Sequence, residues 1–289
     1  ADIPFLADPA GQKLFAMFED AGHRAYFVGG CVRNAVMGYP PSDVDIATTA
    51  APQAVMDLAK VANLRAIPTG FDHGTVTVVV DGTPFEVTTF RRDVATDGRR
   101  AVVAFSQNMA QDAARRDFTL NALYADRHGT VYDPVNGLKD ALEGRVRFID
   151  DAAQRIREDY LRILRFFRFS AFYGQPNHGW NADALAAIAE NLNGLKTLSA
   201  ERVGSEMLRL LSASDPVGPV AVMERIGVLN SILPGADAKL LGLLIHIEGQ
   251  IAASRDPITR LAALGGTDVV QRLRLSRKDQ KQLALALEN

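Results

Sequence analysis

The sequence predicts an α+β protein: a small mixed β-sheet domain over residues 1–150, then an all-helical domain over 151–289. Three observations lead there. Short apolar and β-branched runs alternate with helix-like segments as far as about residue 150. Asp81-Gly82 separates two such runs, which is a hairpin signal. From about Asp151 onward the strand signal stops, and apolar residues recur at helical spacing.

In chain order, Ala25-Tyr-Phe-Val28 is a short strand running into Gly29-Gly30, and Cys31 to Met37 reads as a helix. Val44 to Ile46 is a second strand. Pro52 suits the first turn of a helix to about Val61, where its missing N–H costs nothing. Thr75 to Val80 and Pro84 to Phe90 are the hairpin strands. A polar, arginine-rich loop is expected over 91–107, with Val131 to Asp133 and Val146 to Ile149 as further short strands. Beyond them, helices are expected over 156–173, 182–195, 200–211, 217–229, 237–251, 257–264 and 268–287. Asp215-Pro216 and Ser276-x-x-Asp279 look like helix starts.

The chain has 289 residues, 47% of them hydrophobic, which is ample for two cores. No stretch approaches the ~18 consecutive apolar residues of a membrane span, and no secretory leader is visible at the N-terminus. A single cysteine, Cys31, excludes an internal disulfide and fits a reducing cytoplasm, the expected location. The net charge of −2, from 32 basic and 34 acidic side chains, argues mildly against a protein that grips a large nucleic acid over its whole surface. Arginines at 155, 157, 162, 165 and 168 nevertheless concentrate positive charge in one segment, and such a face can bind a polyanion locally.

Three clusters carry chemistry. In the first, Val28-Gly-Gly-Cys-Val-Arg33 is followed closely by Ser42-Asp-Val-Asp-Ile46. Two aspartates one residue apart on a strand, Asp43 and Asp45, point to the same face. Carboxylates held that close repel unless a divalent cation lies between them, and magnesium with triphosphate oxygens is the natural occupant. Gly29 and Gly30 let backbone N–H groups approach phosphate without a Cβ in the way, and Arg33 is suited to pair with the same phosphates. Taken singly, Gly-Gly is also an ordinary tight turn and Asp-x-Asp a common strand end; their order and closeness are what point to a site. Glu86, on the second hairpin strand, is the candidate third carboxylate of a two-metal phosphoryl-transfer site, with a surface pair to Arg91 or Arg92 as the alternative.

The second cluster is Arg115-Arg-Asp-Phe-Thr-Leu-Asn121. Arg116 could contact a triphosphate and Asp117 a ribose hydroxyl, or Asp117 or Thr119 could cap a helix. The third is Glu158-Asp-Tyr-Leu-Arg162-Ile-Leu-Arg165-Phe-Phe-Arg168-Phe169. Asp159 and Arg162 lie three apart, so they are expected on one helix face, with Arg165 and Arg168 continuing the row. That spacing fits an ordinary salt bridge. It also fits base selection, in which Asp159 accepts from the exocyclic amine of cytosine or adenine and Arg162 donates to ring acceptors. Guanine and uracil would bring a carbonyl against the carboxylate lone pairs.

In this order the clusters resemble the class II tRNA nucleotidyltransferases, the CCA-adding enzymes, and the similar bacterial poly(A) polymerases, all of the DNA polymerase β superfamily. The resemblance covers roughly residues 20–210 and includes Asp133-Pro-Val-Asn-Gly137 with Asp140, the family's hinge between head and neck. It implies a polymerase β-like head and a helical neck and body for nucleotide selection and tRNA binding. It implies magnesium at Asp43 and Asp45, and contact of Gly30, Arg33, Arg116, Asp159, Arg162, Arg165 and Arg168 with the incoming CTP or ATP. Glu201-Arg202 matches a further neck-helix motif of structural character. Arg91, Arg92, Arg99 and Arg100 fall where the family has a flexible loop used in switching from CTP to ATP, with solvated loop charge as the alternative.

Three departures stand out. Asn34 stands where the family usually has an aspartate. Thr69-Gly-Phe-Asp-His-Gly-Thr75 looks like the CCA-adding version of its region, and the basic, arginine- and phenylalanine-rich version of the poly(A) polymerases is absent. The chain ends at Asn289, so much of the helical tail that grips the tRNA elbow is expected to be missing. The resemblance implies addition of nucleotides from CTP and ATP to the 3′ end of tRNA, with magnesium and without a nucleic-acid template. Its alternatives are an enzyme that adds only A, or an RNA-binding relative without catalysis. No membrane is indicated, and protein partners are left open.

Overall fold

The computed structural model describes residues 3–97, 100–175 and 178–288, by backbone alone at 93–97 and 100–103. Two units separate, Ala1–Glu143 with Arg147–Asp150, and Gly144–Val146 with Asp151–Asn289.

The first unit begins with a short helix, α1 (Pro4–Ala7), and α2 (Pro9–Asp20), whose start is set by Asp8 accepting from the N–H groups of Ala10 and Gly11. There follow β1 (Ala25–Val28), α3 (Gly30–Met37), β2 (Asp45–Thr48), α4 (Pro52–Val61), β3 (Arg65–Gly70), β4 (Thr75–Val80) and β5 (Thr83–Thr89). Then come β6 (Arg91–Asp97), β7 (Arg100–Phe105), α5 (Met109–Ala114), β8 (Tyr124–Ala125), β9 (Val131–Tyr132) and α6 (Gly137–Glu143). Among the described residues a seven-stranded sheet runs β3-β4-β5-β2-β1-β8-β9. Its pairs are antiparallel except β2 with β5, which makes the sheet mixed.

The sequence explains why both faces are covered. On β1, Phe27 packs on Phe15 of α2 with ring centroids 4.5 Å apart. Its neighbours Tyr26 and Val28 join Ala47, Phe90, Ala113, Ala122, Tyr124 and Ile149 in a cluster of their own. A strand buried on both sides needs no polar alternation, and β1 has none. β4 does alternate, with Val76, Val78 and Val80 fully buried and Thr75, Thr77 and Val79 only partly so. At the β4–β5 turn Asp81 (φ 49°) and Gly82 (φ 86°) both lie in the left-handed region, the requirement of the two-residue turn that fits strand twist.

Two expectations for this unit are corrected. Arg91–Asp97 and Arg100–Phe105 form the antiparallel pair β6–β7, not an open loop; the pair stands apart from the large sheet. The sequence of its first strand, Arg91-Arg-Asp-Val-Ala-Thr-Asp97, is largely polar and shows no apolar alternation, so no hydrophobic pattern marked it. Val146 to Ile149 is not a strand: only an isolated bridge, Phe118 to Phe148, forms there.

The second unit is helical: α7 (Ala152–Glu158), α8 (Leu161–Tyr173), α9 (Ala182–Glu190), α10 (Ala200–Leu211), α11 (Val217–Arg225), α12 (Val228–Ile232), α13 (Lys239–Gln250), α14 (Pro257–Leu264), α15 (Val269–Arg272) and α16 (Arg277–Glu288). Ile163, Phe167, Met207, Leu211, Val220, Met223 and Leu229 are fully buried in its core. Gly204 is where α10 meets the carbonyl of Leu273, since a Cβ there would sit 2.0 Å from that oxygen. Arg260, 1% exposed, donates to the carbonyls of Leu211 and Ala213 at 2.6 Å each and pairs with Glu248, satisfying the end of α10 inside the core. The helix expected over 156–173 is broken in two: Asp159, after α7, is extended (φ −157°, ψ 105°). The segments 217–229 and 268–287 are likewise divided, each into two helices.

Candidate active site

Gly29 and Gly30 join β1 to α3. Gly29 has φ 73° and donates its N–H to the Leu123 carbonyl, so it supplies the turn rather than an N–H for a ligand. A Cβ on Gly29 would come within 3.5 Å of Arg116 Nη1, and one on Gly30 within 3.1 Å of Ser42 Oγ. The glycines therefore leave room where two other segments close in. α3 starts at Gly30 without a side-chain cap, which leaves its first-turn N–H groups as a positive helix end.

Arg33, on α3, is buried. Its guanidinium donates to Asn34 Oδ1 from Nε (3.1 Å) and Nη2 (2.8 Å), and from Nη1 to Asn121 Oδ1. The side-chain amides of Asn34 and Asn121 thus orient the fork. Asn34 Nδ2 in turn donates to the Pro40 carbonyl at 2.7 Å, and Asn121 Nδ2 to Asp117 Oδ1 at 3.0 Å. Asp117 Oδ1 also accepts from the Phe118 N–H at 2.8 Å, ahead of a 3-10 turn over Thr119–Asn121.

The second motif is braced from below. Thr119 N–H donates to the Arg147 carbonyl, and Ile149 N–H to that of Asp117. Asp133 accepts from the N–H groups of Gly137 (2.7 Å) and Leu138 (2.9 Å), capping α6. Asp140 on α6 accepts from Thr119 Oγ1 at 2.6 Å and Arg147 Nε at 2.9 Å. Gly137 is required because a Cβ would lie 2.0 Å from the Thr119 carbonyl oxygen. Asp133 to Asp140 thus seats the segment that carries Arg116 and Asp117.

The carboxylates meet at the edge of β2. Asp45 opens the strand, opposite Val28 on one side and Glu86 of β5 on the other. Asp43 precedes the strand by two residues instead of lying on it, which corrects the reading of both aspartates on one strand. Asp45 keeps part of its surface open, yet its carboxyl is pushed up to about 6: by desolvation first, then by the charges of Glu86 and Asp43, with the Arg116 charge opposing. Among the described residues no set of three or more His, Cys, Asp or Glu side chains is arranged as a ready metal cage. A carboxylate whose charge is opposed by burial and by neighbouring carboxylates suits a hard cation that takes one or two protein carboxylates and otherwise oxygen from water and phosphate.

Arg116 is held by two side chains that the motif reading missed. Its Nη2 donates to Asp112 Oδ2 at 3.1 Å and its Nε to Tyr124 Oη at 3.2 Å. Arg99 lies outside the described residues, as does the side chain of Arg100.

In the helical unit the arginine row is paired differently from expectation. Asp159 does not share a helix with Arg162. Its Oδ1 accepts from the Leu161 N–H at 3.1 Å, and its Oδ2 from Arg202 Nη2 at 2.6 Å. Arg162 Nη1 donates to Glu158 Oε2 at 2.6 Å and to the Arg155 carbonyl at 2.8 Å. Arg155 also pairs with Glu158. Arg168 Nε donates to Glu206 Oε2 at 2.6 Å, and Arg165 lies 3.9 Å from Glu206 Oε1. Glu206 is buried, and no local spacing announces it; Glu158, four residues before Arg162, was legible as an i,i+4 partner.

Residues 25–147 match the family model "Poly A polymerase head domain", and residues 181–240 match "Probable RNA and SrmB- binding site of polymerase A". The chain is 37% identical, over 97% of its length, to the "CCA tRNA nucleotidyltransferase 1, mitochondrial" of Mus musculus and spans 68% of that protein. It is 43% identical, over 71% of its length, to a "CCA-adding enzyme" of Lacticaseibacillus paracasei and spans 50% of it. It superposes on the crystal structure of the Bacillus stearothermophilus CCA-adding enzyme in complex with CTP with a TM-score of 0.81, at 31% identity, covering 99% of this chain and 70% of that one. Among the described residues no helix is long and apolar enough to cross a membrane.

Proposed function

The chain belongs to the CCA tRNA nucleotidyltransferases, a family it shares with poly(A) polymerases, and from that premise we propose how its residues carry out the reaction. That reaction is addition of nucleotides from CTP and ATP to the 3′ end of tRNA, building or repairing the CCA end without a nucleic-acid template. The observation that carries the proposal is the meeting of Asp45 with Glu86 across two strands, Asp43 two residues away and the Arg116 charge within range. A carboxylate group next to two guanidinium groups and a positive helix end is what a nucleotide triphosphate with its cation needs.

In this proposal Arg33, Arg116 and the start of α3 at Gly30 hold the triphosphate oxygens. The 3′ hydroxyl of the RNA attacks the α-phosphorus, the new P–O bond forms, and pyrophosphate leaves with the electron pair of the broken one. Glu86 takes the proton of the attacking hydroxyl, and Asp117 steadies the ribose. Asp43 and Asp45 are the residues that would hold magnesium, which when bound supplies charge neutralisation of the triphosphate and activation of the hydroxyl.

In the helical unit, 151–289, Asp159 accepts from the exocyclic amine of cytosine or adenine. A carboxylate has four lone-pair sites, so the bonds from Arg202 and Leu161 orient it without exhausting it. Arg162 donates to the ring acceptors; Arg165 and Arg168 extend the surface, steadied by Glu206. A reducing compartment such as the cytosol is the proposed location.

The test gives the protein tRNA transcripts ending at the discriminator base, at C, or at CC, supplies CTP or ATP one at a time, and sequences the products. Two C additions followed by one A are expected. Addition of A alone would replace the reading with an A-adding enzyme, and no addition at all would leave an RNA-binding relative.

A further inference from the structure

The first unit contains a polar cluster to which neither the metal nor the base-selecting residues contribute. Asp112, on α5, is 2% exposed, and Tyr124, on β8, is fully buried. Asp112 Oδ2 accepts from Tyr124 Oη at 2.7 Å and from Arg116 Nη2 at 3.1 Å. Tyr124 Oη accepts from Arg116 Nε at 3.2 Å, closing a triangle. The guanidinium carbon of Arg116 also lies 5.5 Å from the centre of the Tyr124 ring. The other oxygen of Asp112, Oδ1, accepts from the backbone N–H of Arg91 at 3.3 Å, where β6 begins.

A buried carboxylate is costly unless every lone pair is used, and here one carboxylate serves three segments. Tyr124 is tied to the sheet through its pairing with Val28, the residue before Gly29. Arg116, with 22% of its side chain exposed, reaches from this cluster to the Gly29 turn. Burial works against the charge of Arg116, but Tyr124 and Asp112 outweigh it and hold the guanidinium firmly protonated.

We propose that Asp112 and Tyr124 are positioning residues for the triphosphate contact made by Arg116, and that Asp112 couples that contact to the base of the β6–β7 hairpin through the N–H of Arg91. The proposal rests on the reading of Arg116 given above. Two of the three nitrogens of the guanidinium are aimed by the cluster, which leaves Nη1 directed toward the glycine turn. A displacement of β6 at Arg91 pulls on the same carboxylate and so shifts where Nη1 points.

The experiment measures KM for CTP and ATP, and kcat, for Asp112→Asn, Tyr124→Phe and Arg116→Ala, and for each of the first two combined with Arg116→Ala. Asp112→Asn removes the charge and turns one of the two acceptor oxygens into a donor, so the bonds to Arg116 and to the Arg91 N–H cannot both be kept on separate oxygens, and a rise in KM of about tenfold for both nucleotides is expected, with a smaller change in kcat. Tyr124→Phe keeps the ring and removes only the bridging hydroxyl; a smaller rise of the same kind is expected, and this variant serves if Asp112→Asn does not fold. In the Arg116→Ala background neither substitution should raise KM further, because each acts through the missing guanidinium. Effects that simply multiply with that of Arg116→Ala would overturn the proposal and leave the reading of Arg116 standing. An Arg116→Ala enzyme with unchanged KM would instead remove Arg116 from the triphosphate site, and the proposal with it.

Discussion

At position 34 an aspartate would offer acceptors only, whereas Asn34 offers one acceptor and one donor and uses both, toward Arg33 and the Pro40 carbonyl. Asn34→Asp should therefore lose the Pro40 bond, at a stability cost of about 1 kcal/mol, and lay a carboxylate on the Arg33 guanidinium. A severalfold rise in KM for CTP and ATP together is the expected kinetic result; unchanged KM would show that the Arg33 charge does not reach the nucleotide. Asp43→Ala and Asp45→Ala should each abolish addition while thermal unfolding stays near wild type, since both carboxylates lie outside the apolar core. Near-normal turnover with magnesium by either variant would end the metal assignment. For base choice, Asp159→Ala should admit UTP and GTP, because the carbonyl repulsion it removes is worth about 1–3 kcal/mol per base contact. Arg202→Ala should relax choice in part by freeing the Asp159 side chain, and Arg162→Ala should weaken CTP and ATP alike. Unaltered rejection of UTP and GTP by Asp159→Ala would put selection elsewhere.

Several helices begin where a side chain satisfies the backbone, those at Asp8, Asn108, Asp151, Asn181 and Asp256 among them. The break between α7 and α8 is such a place: Asp159 is extended and accepts the Leu161 N–H, so its carboxylate stands at a helix start instead of in a helical row. That is why i,i+3 spacing misread its partner. Asp256 caps α14 through the N–H groups of Ile258 and Thr259 and also accepts from Gln282 of α16. Burial opposes its charge, but hydrogen bonds from Thr259, Ile258 and Gln282 outweigh this and hold the carboxyl below its ordinary value. A depressed folded pKa stabilises the fold above the unfolded value, about 3.9, and the contribution disappears as pH falls through the folded one. Asp256→Ala should cost about 1 kcal/mol at pH 7, and the gap to wild type should narrow below about pH 4. Denaturant titrations at pH 7 and pH 3.5 measure it, and an equal gap at both would show that the cap does not depend on the charge.

On the scale of the whole chain, the net charge of −2 and the pairing of the arginine row bear on RNA binding. Arg155 and Arg162 share Glu158, and Arg168 with Arg165 meets Glu206, so much of the local positive charge in 155–168 is balanced within the protein. Each phosphate neutralised contributes about −0.9 to the slope of log affinity against log salt for duplex nucleic acid. A slope shallower than about −4 is expected for tRNA in a salt titration; a slope near −8 would reveal a basic surface that the paired arginines do not account for. The same distinction separates what could be read along the chain from what could not. The hairpin at Asp81-Gly82, the helix from Pro52, the change to all-helical pattern after about residue 150 and the Asp43, Asp45 and Arg116 motifs were legible, because each depends on neighbours two to four residues away. Strand order was not, and neither were the partners. Asp45 meets Glu86 through a parallel register, while Arg33 and Asn121 lie 88 residues apart, Asp159 and Arg202 43, and Arg168 and Glu206 38. Periodicity records which face of an element is buried; it carries no record of which distant side chain will be opposite. That is settled when the sheet and helices pack, because a buried charge must then find whatever counter-charge or dipole the fold has brought within reach.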